Sequence, residues 1–398
     1  MSLETPTQTK LPDAARLLRE LDRLGGHSPV LARAPGRVNL IGEHTDYNDG
    51  FVLPMALDRE VRVGLARRED GLFVASSLDL AQELRFSMAN LALDPAHGWA
   101  NYAKAVVAQF TEEGYGLPGG LSLVVSGNIP QGGGLSSSAA FELAVARALA
   151  GMTSRSWDAV AMARLGQRAE NRFIGVQCGI MDQMAVAGGE AGSALFLDCR
   201  SLRSEAVPVN FADAQFVVVH SGVTRGLKGS EYNQRRADCE GAVVALKGVV
   251  LGAKALRDIN VADLAKHGAL LSPSQRMRSE HVVRENLRVL KACVFLRKGD
   301  AVSFGALMTE SHASLRDLYQ VSCPELDALV EIGNALEGVY GSRLTGAGFG
   351  GCSVHLVRRD RVPAFGAELS RRYRERCDLG AVIIPCLPAA PASLVEHV

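Results

Sequence analysis

The chain reads as an α+β protein in which strands and helices mix without a regular strand–helix–strand rhythm. Short stretches of period-two alternation recur at Val61-Val63-Leu65, Leu84-Phe86-Met88 and Leu121-Leu123-Val125, the spacing of half-buried strands. Helical runs fall between and after them, at residues 139–150, 158–171 and 230–247. No internal repeat and no Ser/Gly or Pro linker divides the sequence. Layers of both element types around a core are therefore expected, not a doubly wound sheet or a repeat array.

From the N-terminal end, Asp13 is a good helix cap and Gly25-Gly26 a stop. Between them Leu17, Leu18, Leu21 and Leu24 share one face. The Val61–Leu65 alternation, the turn Asp70-Gly71 and the run 72–75 spell a hairpin. Late strands are expected at 216–220, 353–357 and 381–384, with a helix over 363–376. A boundary before the Phe216 strand divides the chain into 1–210 and 211–398.

Composition excludes several functions. Lys+Arg and Asp+Glu are 43 each among 398 residues, so the formal charge is zero. Such a chain has no general attraction for nucleic acid or an anionic membrane face. Hydrophobics at 47% and charged residues at 22% fit a folded protein. The opening residues lack the apolar core of a secretory signal. The longest apolar stretch, 241–256, is broken by Lys247 and Lys254 and is too short for a bilayer. The eight cysteines form no C-x-x-C pair. Reduced thiols in a cytoplasmic protein are expected, without structural zinc. Glycine is in excess, at 41 residues against a usual ~7%, and much of it lies in four segments.

The segment 127–140, GNIPQGGGLSSSAA, follows a strand pattern and opens a helix pattern. Its three adjacent glycines permit close backbone approach, and amides at a helix N-terminus suit phosphate. It lacks the lysine of a Walker A loop. A plain loop with one capping serine would leave the glycine run unexplained. Residues 346–351, GAGFGG, match G-x-G-x-x-G, but the alternation after them is that of a strand. A dinucleotide fingerprint needs a helix there, so a tight turn against a ligand is expected instead. In 34–48, APGRVNLIGEHTDYN, the acids Glu43 and Asp46 cluster with His44 and Arg37. Paired carboxylates accept hydrogen bonds from vicinal hydroxyls, so the grouping suits a sugar; a solvated polar turn is the plainer alternative. Asp182 is a lone acid in the apolar run 175–183. It either caps a helix or needs a charged partner.

Together these segments resemble the galactokinases of the GHMP family of small-molecule kinases. GRVNLIGEHTDYN (36–48) is similar to their sugar signature, PQGGGLSSSAA (130–140) to the phosphate-binding motif, and LTGAGFGGC (344–352) to the third motif. AENRFIGVQCGIMDQ, GSEYNQRR and SHASLRDLYQVSCPELD also match, in the expected order. One departure is Leu318 before Tyr319, where many relatives carry an acid.

The resemblance implies a two-domain fold with the active site in the interdomain cleft, and transfer of the ATP γ-phosphoryl to the anomeric hydroxyl of galactose. It implies Asp182 as catalytic base and Arg37 as transition-state stabiliser. Glu43, His44, Thr45, Asp46, Gly179 and Tyr232 would bind the sugar. Gly132, Gly133, Gly134, Leu135, Ser136, Ser137 and Ser138 would hold ATP, and Ser138 with Glu170 would hold Mg²⁺. Two alternatives remain compatible with the resemblance: a non-catalytic galactose and ATP sensor, and a sister kinase for N-acetylgalactosamine, arabinose or mevalonate. The intact Ser138-Ala139-Ala140 step and the Thr45–Asn48 run favour a galactose kinase. A monomer is expected. His312 and Arg316 are expected to pack, and His281, near the basic run 276–284, to lie on a solvated face.

Overall fold

The computed structural model describes residue 11 and residues 13–117, 119–130, 132–223 and 229–396. The start of the chain and Gln131 of the phosphate motif lie outside the described residues. In chain order the strands are β1 His27–Asn39, β2 Phe51–Val52, β3 Pro54–Arg68, β4 Leu72–Ser77, β5 Gln82–Ser87, β6 Gly120–Gly127, β7 Ser193–Asp198, β8 Ser204–Pro208, β9 Ala214–His220, β10 Val339–Thr345, β11 Cys352–Arg358, β12 Val382–Pro385 and β13 Ser393–Leu394. The α-helices are α1 Ala14–Arg23, α2 Ala100–Glu112, α3 Ser137–Met152, α4 Ala159–Arg168, α5 Met181–Gly188, α6 Gly229–Leu246, α7 Val261–His267, α8 Pro273–Lys298, α9 Ala301–Ser314, α10 Pro324–Asn334 and α11 Val362–Cys377.

The first sheet has the order β13-β1-β3-β6-β4-β5. The hairpin expected from the Asp70-Gly71 turn does not form: β6 inserts between β3 and β4, antiparallel to the first and parallel to the second. The chain does turn at Gly71, at φ +73, but β6, buried along almost its whole length, takes the place between the two strands. One sheet face takes Ala66, Val74 and Val124 under the leucines of α1, whose Asp13 cap accepts from the Arg16 amide at 2.8 Å. The other takes Val63, Leu65, Leu121 and Leu123 under α2, α3 and α5. This period-two division is what the sequence alternation encodes.

A second sheet, β10-β11-β9-β12, is antiparallel throughout. Val217, Val219 and Val357 face α10 and α11, while Phe216, Val218 and Val354 join the main core with Phe304 of α9. The expected boundary at 210/211 falls between β8 and β9, but β13 crosses back to pair with β1. It covers what would otherwise be an unpaired edge. No described helix is long and apolar enough to cross a membrane.

Candidate active site

Arg37, Gly134, Ser136 and Asp182 meet although up to 145 residues separate them. Arg37 leaves β1 with only 4% of its surface exposed. Its backbone N–H donates to the Leu135 carbonyl at 3.1 Å. Its Nε donates to Asp182 Oδ1 at 2.8 Å, Nη2 approaches the same oxygen at 2.6 Å, and Nη1 donates to the Gly134 carbonyl. Asp182 lies in the first turn of α5. Its Oδ2 accepts from the Ser136 hydroxyl.

Ser136 occupies the N-cap position of α3 at φ +58, and its side chain caps nothing. A non-glycine residue in the left-handed region is strained, and such strain persists where the surroundings over-determine it. Here the hydroxyl is held by Asp182 instead of by the helix. The two capping roles open in the sequence are therefore both replaced by one contact between Ser136 and Asp182. The N–H groups of the first turn of α3 are left without a side-chain cap, a ready anion site.

The GAGFGG segment is the loop between β10 and β11 and supports the phosphate loop from behind. A Cβ at Gly346 would sit 3.1 Å from the Gly134 carbonyl, and one at Gly351 3.1 Å from the Gly133 carbonyl. Glu43 fastens this loop to the first motif. Its carboxylate pairs with Arg343 and accepts from Thr345 Oγ1 and the Gly346 N–H, each at 3.1 Å. Both Glu43 oxygens thus already have partners, although the residue lines the pocket.

The wall of that pocket includes Arg37, Glu43, His44, Asp46, Gly179, Asp182, Tyr232, Ser138 and Glu170. Gly346 and Ala347 also line it, so both halves of the chain contribute. A second pocket is lined by Gly132, Ser137 and Ser138, with Trp99, Phe141 and Leu80. The two pockets share Ser138 and Tyr102. Gly133, Gly134, Leu135 and Ser136 belong to the loop but line neither pocket. Gly133 lies against the His220 ring, where a Cβ would come within 2.8 Å of Cδ2.

Thr45 departs from the sugar-binding expectation. It is fully buried, and its hydroxyl lies 2.8 Å from the Gly42 carbonyl and 2.6 Å from that of Phe51. It braces the turn that presents His44 and Asp46. His281 departs too. It is fully buried in α8, with Nε2 3.1 Å from the Glu43 carbonyl and Nδ1 2.8 Å from Ser314 Oγ. Arg278 and Glu285 on the same helix are also buried, so the basic run is not a uniform solvated face. His312 packs as expected, accepting from the Leu344 N–H at 3.3 Å. Arg316, also expected to pack, is instead exposed and pairs with its neighbour Asp317 at 2.8 Å.

Enclosure sets the charge states. Burial, then the like charge of Asp182, pushes the Asp46 carboxyl up to about 6. Burial also raises Glu170, which hydrogen-bonds Ser138. Loss of water lowers His44 to about 3, so its ring is neutral. Sequence reasoning passed over Tyr102, Trp99 and Phe141: the helix that begins after Trp99 and carries Tyr102 was not among its helical runs, and Phe141 shows only as an apolar residue of one. Tyr47 and Tyr319 stood inside the quoted motifs without a role.

Residues 22–67 match the galactokinase galactose-binding signature, 101–190 the N-terminal domain of GHMP kinases and 290–375 their C-terminal domain. A galactokinase of Roseiflexus sp. (strain RS-1) is 47% identical over 91% of this chain and 92% of its own. One from Bacillus subtilis (strain 168) is 42% identical over 87% and 90%. The crystal structure of Lactococcus lactis galactokinase complexed with galactose superposes with a TM-score of 0.91 at 33% identity, covering 95% of this chain and 98% of that one. Methanococcus jannaschii mevalonate kinase, at 20% identity and a TM-score of 0.67, shares the fold.

Proposed function

The chain belongs to the galactokinases of the GHMP kinase family, and we propose that its two pockets take galactose and ATP and meet at Ser138, with Asp182 on the wall of the first. It is an ATP-dependent sugar kinase of galactose metabolism. The observation that carries the site assignment is the Arg37–Asp182–Ser136 contact beside the wall that both pockets share.

In this reading the first pocket holds α-D-galactose. Asp46, His44 and Tyr232 supply acceptors and donors for its hydroxyls, and Glu43 holds the wall. The second pocket takes the nucleotide, with its base against Trp99 and Phe141. The triphosphate follows the Gly132–Ser138 amides to the start of α3, where the helix dipole favours negative charge. The sugar O1–H bond breaks as its proton passes to Asp182. O1 bonds the γ-phosphorus, and the bond to the bridging oxygen breaks with its electron pair leaving on ADP. Phosphoryl transfer asks mainly for positioning and charge stabilisation, and Arg37 supplies a fixed positive charge there.

Ser138 and Glu170 fit Mg²⁺: hard oxygen donors already bonded to each other at the junction of the pockets. No cluster of three or more His, Cys, Asp or Glu suited to a metal occurs among the described residues. That agrees with an ion held by one or two protein oxygens plus phosphates. Bound there, Mg²⁺ would neutralise phosphate charge. One chain supplies every residue of the reading, so a monomer suffices.

A coupled ADP-release assay over a sugar panel tests the proposal. Turnover should require galactose and be abolished by chelating divalent cations. ADP release that is indifferent to the sugar, or equal on N-acetylgalactosamine, would overturn it.

Two further outcomes follow from Asp46. Because its carboxyl ionises near 6, it is charged at pH 8 and gains a proton as the pH falls through 6. The kcat/KM for galactose should fall along that acid limb, since kcat/KM reports free-enzyme ionisation. Asp46→Asn should remove the limb along with most of the sugar affinity. Gly179 faces the same carboxylate, and a Cβ there would lie 1.7 Å from Asp46 Oδ2. Gly179→Ala should therefore displace Asp46 and raise the galactose KM by about tenfold or more, the effect of ~1.4 kcal/mol, with the ATP KM nearly unchanged.

A further inference from the structure

Behind the first pocket a chain of polar groups crosses between the two halves of the molecule. His44 Nδ1 lies 2.7 Å from the Tyr47 hydroxyl. That hydroxyl lies 2.8 Å from the Tyr319 hydroxyl, which lies 3.2 Å from Cys239 Sγ. The Tyr319 ring also stacks on the His44 ring, with centroids 4.5 Å apart. Tyr319 is fully buried, and His44 is 5% exposed. His44 Nε2, on the pocket side of this chain, is buried with no hydrogen-bond partner.

We propose that Tyr319 is a positioning residue for sugar recognition: through Tyr47 its hydroxyl locks the His44 imidazole as the Nε2–H tautomer, which donates to a galactose hydroxyl. The proposal rests on the reading that the first pocket holds the sugar.

The direction of the chain follows from counting protons. Each hydroxyl has one hydrogen to give, so the whole row points one way or the other. In one direction Cys239 donates to Tyr319, Tyr319 to Tyr47, and Tyr47 to a bare His44 Nδ1. In the other His44 Nδ1 donates, and the row ends with Tyr319 giving its proton to sulfur, a weak acceptor. Acceptor strength favours the first direction, in which every hydroxyl hydrogen meets an oxygen or nitrogen lone pair. With Nδ1 accepting from Tyr47, the single proton of the neutral ring lies on Nε2. An imidazole held in one tautomer distinguishes hydroxyl acceptors from donors without reorganising on binding.

The contacts also explain why Tyr319 comes from so far along the chain. It sits in the π-helical turn Leu315–Tyr319 that ends α9. Its own carbonyl accepts from Arg235 Nε at 3.0 Å, three residues after Tyr232. Tyr319 thus ties the α6 wall, the signature turn and the second half of the protein to one imidazole.

The test is Tyr319→Phe in the full chain, which removes the hydroxyl and keeps the stacked ring. The galactose KM should rise about 5–50-fold, the loss of one buried hydrogen-bonded group. The kcat should stay within about threefold and the ATP KM within about twofold. Tyr47→Phe should have a similar effect. The double variant should be no worse than Tyr47→Phe alone, because both interrupt one row. Histidine ¹⁵N shifts of the parent enzyme, with His44 assigned by its loss in His44→Gln, should show Nε2–H. An Nδ1–H tautomer, an unchanged galactose KM in Tyr319→Phe, parallel rises in both substrates' KM, or additivity of the two variants would each overturn the relay. The tautomer readout decides even if Tyr319→Phe folds poorly. If instead His44→Ala leaves the galactose KM unaltered, the sugar reading of the pocket fails, and the relay with it.

Discussion

Asp182→Ala is expected to lower kcat by about 10²–10⁴-fold, the usual contribution of a positioned general base, while galactose still binds. Asp182 touches Arg37 and Ser136 and lies on the wall of the first pocket, whereas in the proposed reading Asp46 and His44 would carry much of the sugar contact. Asp182→Asn is the sharper variant. It keeps the side-chain shape and removes both the capacity to take a proton and the charge that pairs with Arg37; its one oxygen can accept from Ser136 or from Arg37, not from both. Steady-state kinetics give kcat, and calorimetry gives the galactose Kd. Turnover of either variant within twofold of the parent would remove Asp182 from the proton transfer. A large loss of binding with kcat intact would make it a sugar anchor instead.

Arg37→Ala is expected to cost about 10²–10³-fold in kcat, as removal of a preorganised charge-stabilising donor does. Its guanidinium holds Asp182 through two nitrogens and the Gly134 carbonyl through the third. The substitution therefore loosens both the base and the phosphate loop. A lysine carries the charge without the planar fork, so Arg37→Lys should recover only part of the loss. Arg37 also holds the Asp46 carboxyl lower than burial alone would. The acid limb of the galactose kcat/KM profile should accordingly shift upward in Arg37→Ala. An unshifted limb would separate the two groups electrostatically. The double variant with Asp182→Ala should be far from additive, because the two side chains act as one unit.

Much of the site was legible in the residues themselves, for reasons tied to chemistry at short range. A run of three glycines ahead of a helix pattern can be read as an anion loop because the amides that do the work belong to consecutive residues. Glu43, His44 and Asp46 cluster within four positions, so their grouping survives without knowledge of the fold. Roles that depend on contacts across the chain were not legible. Thr45 looks like its neighbours in sequence, yet it bonds backbone carbonyls because the turn rotates it away from the pocket. His281 sits among basic residues, but one face of α8 is buried, and that face carries it inside to bind Glu43. Phe141 shows only as an apolar residue of a helical run, and Trp99 carries no signal at all, until the fold brings the start of α2 and the face of α3 to one pocket.

Alternation and glycine placement alone marked β3 to β6, β9, β11 and β12 and excluded a Rossmann crossover after GAGFGG, because each is a property of a few neighbouring residues. Which strands pair was settled only by the folded chain: β6, buried on both faces, lies between β3 and β4 and displaces the apparent hairpin. The meeting of Arg37 with Asp182, and of Tyr319 with Tyr47 and His44, was settled there as well. Those contacts join residues 145 and 272 positions apart, a distance over which local chemistry carries no information and only the packing of a shared core does.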